Sequence, residues 1–191
     1  MSSTLAHRFS VVVALLLLLW TFDATADVSL FGNYYDNIGR MTAANAPATV
    51  AKLISDGHNP DETDDSGRSG LLIAATDGNL LIAGMLIKAG AHLGFKDRLG
   101  NTPLHYAVER NHEDVVQQLL DAGASVDAEN TNGTTPLMMA ATHGYASIAQ
   151  DLLAKGANPR KADFTGRDAI NWAQDSRHEA VARMLQRTSQ R

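Results

Sequence analysis

Apolar residues in the middle of this chain fall at helical spacing and then stop. Val115, Val116, Leu119 and Leu120 form a broad stripe, as expected for a helix with one buried face. Gly123 follows, where left-handed backbone can end that helix. Upstream, Leu104 and Ala107 lie one turn apart behind Thr102 and Pro103. A Thr oxygen can accept from the free N–H groups of a first turn, and Pro suits the first helical position. The pattern predicts two short helices with a tight turn between them.

The same pattern recurs every 33 residues. Candidate caps stand at Asp36, Ser69, Thr102, Thr135 and Asp168, and core leucines at Leu53, Leu86, Leu119, Leu152 and Leu185. Two glycine columns keep the interval: Gly57, Gly90, Gly123, Gly156, and Gly67, Gly100, Gly133, Gly166. A period of this size predicts one helical hairpin copied and stacked, with no single globular core. The Ala74, Ala107, Ala140 and Ala173 column stays small, which lets neighbouring helices approach; Met41 breaks it in the first copy.

The clearest copy reads Asn101-Thr102-Pro103-Leu104-His105-Tyr106-Ala107, and the next Thr134-Thr135-Pro136-Leu137-Met138-Met139-Ala140. These resemble the ankyrin repeat, marked by T-P-L-H-x-A at a 33-residue period. The resemblance spans residues 36–187. It implies an all-α ankyrin-repeat solenoid of helix-turn-helix units joined by β-turn or hairpin loops. Five repeats are expected near 36–62, 63–95, 96–128, 129–161 and 162–187, with a tail at 188–191. Outer copies depart from the pattern. Ser69-Gly70-Leu71 lacks the proline, and Gly70 is expected to loosen that helix start. The first copy has Tyr34 where a turn glycine belongs, and the last carries Arg183, Gln186 and Arg187 on its final helix. Terminal repeats need a polar outer face, so both read as caps.

The N-terminus is of another kind. His7 and Arg8 precede the apolar run Val11 to Trp20, and Ala24-Thr25-Ala26 follows. A basic start, a short apolar core and an A-x-A ending predict a secretory signal over residues 1–26, cleaved before Asp27. The run is short for a membrane span, which takes about 20 residues, so no span is expected after cleavage; an uncleaved tether is the alternative. Residues 27–35 form a lead-in whose Phe31, Tyr34 and Tyr35 are expected to pack on the first helix pair or meet a partner. Cysteine is absent, so the chain has no disulfide, thiol nucleophile or Cys–metal site. Export without disulfides favours a bacterial periplasm, with secretion as the alternative. The net charge is −5, and removing Arg8 and Asp23 with the signal leaves it unchanged. A mildly acidic chain without a basic block is a poor match for nucleic acid.

Motifs of catalysis are absent: G-x-S-x-G, H-E-x-x-H, the phosphate-binding G-x-x-x-x-G-K-[ST] and the dinucleotide glycine fingerprint are all missing. No enzyme, cofactor or metal is expected. Asp61, Glu62, Asp64 and Asp65 cluster in one turn, but their spacing is not that of a calcium loop, and a solvated charged turn is the expectation. In the family the histidine of T-P-L-H bonds backbone near the inter-repeat turn, which gives His105 a structural role.

The resemblance also implies a protein partner, bound through turn tips and the open side of the first helices by what is expected to be a monomer. Carried over by position, the contact residues are Asp65, Ser66, Arg68, Thr76 and Asp77 in the second repeat, and Arg98, Leu99, Asn101, Glu109 and Arg110 in the third. Thr131, Asn132, Thr134, Thr142 and His143 follow in the fourth, and Phe164, Thr165 and Arg167 in the fifth. Leu99 and Phe164 are apolar at tips where water favours polar groups. If exposed they are hot-spot candidates inside a polar rim; otherwise they fold back on their own repeats. The expected role is a periplasmic interaction scaffold. A secreted effector that binds a host protein is the first alternative and a metal-dependent protein the second.

Overall fold

The computed structural model describes residues 37–189. The expected signal, its expected cleavage point and the aromatic lead-in all lie outside the described residues. Ten α-helices are described: α1 Ile38–Ala43, α2 Pro47–Ser55, α3 Gly70–Asp77, α4 Leu80–Lys88, α5 Pro103–Glu109, α6 Glu113–Asp121, α7 Pro136–His143, α8 Ala146–Ala154, α9 Ala169–Asp175 and α10 Glu179–Thr188. Each odd-numbered helix packs on the next odd-numbered one, and each even-numbered helix on the next even-numbered one, so the hairpins form two layers. Among the described residues, bridged backbone outside the helices is confined to the isolated pairs Thr63–Ser69 and Ala162–Asp168.

The repeated sequence columns become repeated places. Leu53, Leu86, Leu119, Leu152 and Leu185 are all buried, as are Ala74, Ala107, Ala140 and Ala173. Ser69, Thr102, Thr135 and Asp168 cap α3, α5, α7 and α9. The first cap differs from expectation. Asn37 caps α1 by accepting from the Arg40 amide at 2.8 Å, and Asp36 lies outside the described residues. The Ile38 amide is taken by Glu62 Oε2 at 3.1 Å, from 24 residues away. The helix starts one residue later than the repeat predicts, yet Ile38 is as fully buried as Leu71, Leu104 and Leu137.

Gly70 does not shorten α3, which begins there. A side chain at Gly70 would meet Ile38, Leu86 and Thr42, so neighbouring groups fill the space that the missing Cβ leaves. At the other end of the stack, Arg183 and Arg187 on α10 are exposed and Gln186 is half-buried, as a terminal cap requires.

A further column runs between the paired helices. Asn45, Gly78, Asn111, Gly144 and Arg177 all have left-handed backbone, with φ of 52°, 71°, 59°, 75° and 62°. Each reverses the chain within two or three residues. The glycine columns of the sequence do not reveal this one, because three of its members carry side chains.

Candidate interaction surface

Four turns project ahead of the odd-numbered helices, and a short Asp or Asn side chain builds each of them. Asp64, Asp97, Asn130 and Asp163 each accept two backbone N–H groups on Oδ1. The donors are Ser66 and Arg68, Leu99 and Asn101, Asn132 and Thr134, and Thr165 and Arg167, all at 2.8–3.0 Å. A short Asp or Asn side chain bonding backbone two residues ahead forms such a turn. The second polar atom then locks each turn to its surroundings. Asp64 Oδ2 accepts from the Arg68 guanidinium at 2.7 and 3.0 Å. Asp97 Oδ2 accepts from the Tyr106 hydroxyl at 2.6 Å, and Asp163 Oδ2 from the Trp172 indole at 2.9 Å. Asn130 Nδ2 donates to Asn101 Oδ1 at 3.0 Å, joining two repeats. Sequence reading passed over this column because Asp and Asn at turns look alike whether solvated or bonded.

The electrostatics follow from these bonds. Burial pushes the Asp64 carboxyl up, but the Arg68 amide and guanidinium and the Ser66 amide outweigh it and hold it below the ordinary value. Burial acts likewise on Asp163, where Thr165, Arg167 and Trp172 prevail and lower it. The Tyr106 phenol is pushed up by burial and by its bond to the Asp97 carboxylate.

The acidic turn is more structural than a solvated cluster. Asp61 Oδ1 accepts the His92 amide at 2.8 Å, Glu62 reaches the Ile38 amide and lies 3.0 Å from His58 Nδ1, and Asp65 pairs with Arg40. With Asp64 held by Arg68, these four carboxylates tie neighbouring segments of the first two repeats together. No group of three His, Cys, Asp or Glu side chains suited to a metal ion is found among the described residues.

His105 takes the structural place expected of it. The Thr102 amide donates to Nδ1 at 3.1 Å, so Nε2 carries the proton and donates to the Thr134 carbonyl at 3.0 Å. Burial pushes the imidazole below its usual value, against the raising effect of that carbonyl. Met138 and Asn171 stand in the same place in later repeats, each receiving the amide of its cap residue.

The residues proposed from sequence divide into two groups. Asp65, Ser66, Asp77, Arg98, Leu99, Glu109, Arg110, Thr131, Asn132, His143, Phe164, Thr165 and Arg167 are exposed. Thr76, Thr142, Arg68 and Thr134 are half-buried, and Asn101 is buried beneath Asn130. Arg68, Asn101 and Thr134 therefore shape turns rather than extend the open surface. Arg167 lies over the Trp172 ring, 5.2 Å from its centre, and pairs with Asp175 at 3.4 Å. The rings of His143 and Tyr145 stack 5.3 Å apart.

Leu99 and Phe164 do not fold back out of water: they are 60% and 74% exposed. Their turns are joined through the tip between them. The Leu99 carbonyl accepts the Thr131 amide at 2.9 Å and its hydroxyl at 2.8 Å, and the Phe164 amide donates to the Asn132 carbonyl at 3.1 Å. The Phe164 ring also lies against Gly133, where a Cβ would come 2.7 Å from Cδ1. The result is a continuous bonded edge with an apolar side chain at each end.

A two-layered stack of helical hairpins with projecting bonded turns defines a repeat scaffold. The family model described as "Ankyrin repeats (3 copies)" matches residues 40–130 and 122–190, and the chain belongs to that family. Such repeats are protein-interaction scaffolds, generally without catalysis. The chain is similar to the potassium channel GORK of Arabidopsis thaliana, 45% identical over 58 residues, which is 30% of this chain and 7% of the channel. The potassium channel SKOR of the same plant is 39% identical over 59 residues, 31% of this chain and 7% of the channel. NF-kappa-B inhibitor delta of Mus musculus is 43% identical over 68 residues, 35% of this chain and 21% of the inhibitor. The matches thus span only 7% to 21% of these relatives' own length. Among the described residues, no helix is long and apolar enough to cross a membrane.

Proposed function

We propose that this chain is exported to a bacterial periplasm and binds a partner protein there. The contact runs along the edge from Leu99 through Thr131 and Asn132 to Phe164, and extends over Arg98, Glu109, Arg110 and His143. Exposure of Leu99 and Phe164 at the two ends of a hydrogen-bonded edge carries this reading. Neither side chain contributes to the buried core, so folding does not account for leaving both in water. Two apolar groups held by backbone bonds form preorganised anchors, and their polar neighbours supply a rim. The basic start, the apolar run Val11 to Trp20 and Ala24-Thr25-Ala26 support export, and the lack of cysteine suits a chain stabilised by stacked repeats.

Affinity capture from periplasmic extract with the mature protein tests the binding. The partner recovered by the parent is expected to fall about tenfold or more with Leu99→Ala and Phe164→Ala together, as hot-spot truncations do. Unchanged recovery by the double variant would reject the edge. Intact-mass measurement of the exported protein tests the location and is expected to find Asp27 as its first residue.

A further inference from the structure

The helix–helix turn of the second repeat carries an apolar feature that folding does not explain. Leu80 and Leu81 open α4 and are 43% and 59% exposed. The equivalent pairs are Pro47-Ala48, Glu113-Asp114, Ala146-Ser147 and Glu179-Ala180, so the other copies place no large aliphatic side chain here. α3 runs eight residues from its cap beside the turn tip to Gly78, which sets this pair about 12 Å along the helix axis from the tip. It is therefore a different surface from the Leu99–Phe164 edge.

The surroundings of the pair are acidic. Leu80 shares a hollow with Gly78, His112, Glu113 and Asp114. Among the described residues, Asp77 and Asp114 make no side-chain hydrogen bond or ion pair, and Glu113 accepts only the Ser147 hydroxyl at 3.3 Å. Arg110 ends the preceding helix and is joined to none of these carboxylates. Residues 96–128, which supply two of the three, hold six acidic side chains against three basic ones. A large apolar pair bordered by unneutralised carboxylates selects against an acidic visitor and favours a cationic one.

The geometry points to Leu80 and Leu81 as a second docking surface, for a partner segment that sets a large apolar side chain next to Lys or Arg. The apolar group covers the two leucines, and the cation faces Asp77, Glu113 and Asp114. This surface goes beyond the edge proposed above and does not depend on it.

A photo-crosslinking benzoylphenylalanine at position 81 of the full chain, in the cells that produce it, tests this. One adduct is expected, and mass spectrometry should find Lys or Arg within one helical turn of the attachment point in the captured peptide. Its yield should fall about fivefold or more in Glu113→Lys with Asp114→Lys, the size expected when two surface attractions become repulsions. It should persist in Leu99→Ala with Phe164→Ala. Both charge sites are exposed, and an unchanged thermal melt of that variant shows that any loss is not unfolding. An adduct to a second copy of this chain, to an acidic segment, or to nothing overturns the proposal. So does a yield indifferent to the charge reversal. An adduct that disappears with the tip variants also overturns it, since Leu81 would then be only the margin of the partner held at the edge.

Discussion

The Tyr106 hydroxyl donates to Asp97 Oδ2 at 2.6 Å, while the other oxygen of the same carboxylate holds the Leu99 and Asn101 amides. One carboxylate thus binds its own turn to the helix behind it. Tyr106→Phe keeps the ring and removes only the donor. It is expected to cost about 1–2 kcal/mol, a half-exposed hydrogen bond to a charged acceptor. Urea unfolding checks this, and the exposed Leu99 should also become more mobile in methyl relaxation.

Leu119 sits wholly out of water between neighbouring repeats. Leu119→Ala is expected to destabilise by roughly 2–5 kcal/mol, because a close-packed stack cannot collapse onto the cavity. A denaturant shift below about 0.5 kcal/mol, the range of surface changes, would mean that this column is not core.

Stability should depend on pH through His105. Its pKa is lowered in the folded chain, so the unfolded chain takes up the proton first as pH falls. The contribution is complete above the unfolded value of about 6.5 and declines as pH drops from there toward the folded value. A proton on Nδ1 would also face the Thr102 amide. His105→Gln retains a polar partner for the cap without a titrating group. It is expected to flatten the loss of stability between about pH 7 and 5.5, measured by denaturant midpoints across that range.

Gly57 and Gly78 separate backbone strain from crowding. Both are left-handed, with φ of 86° and 71°. A Cβ on Gly57 meets nothing within 4 Å, whereas one on Gly78 comes 2.6 Å from the His112 ring. That ring also donates from Nε2 to the Thr76 carbonyl at 3.0 Å. Gly57→Ala is expected to cost about 1 kcal/mol, from strain alone. Gly78→Ala should cost about 2 kcal/mol or more, since the histidine must also leave its bond. Equal melting points for the two variants would show that His112 yields freely.

Much of the fold was legible because its determinants are local. Ser69, Thr102, Thr135 and Asp168 cap helices wherever such residues meet a free first turn, and the leucine column follows from helical period. The first cap stands one residue later than the 33-residue period predicts, because Asn37 is itself a favourable cap and takes the Arg40 amide. The Glu62 bond to the Ile38 amide is nonlocal, and no pattern near residue 38 announces it. The carboxylates of the acidic turn were harder still. Clustered acids in a loop look solvated until Arg40 and the Ile38 and His92 amides are brought to them from 24 to 31 residues away.

The chain's own order of residues determined the repeat, its period, its caps and its small-residue column, since these depend on contacts within a turn or two of helix. Only the stacked structure decided which of two like residues meets water. Leu104 is buried and Leu99 exposed; Asn132 is exposed and Asn101 hidden beneath Asn130. Burial of each belongs to the repeat beside it, and that neighbour lies about thirty residues away along the chain.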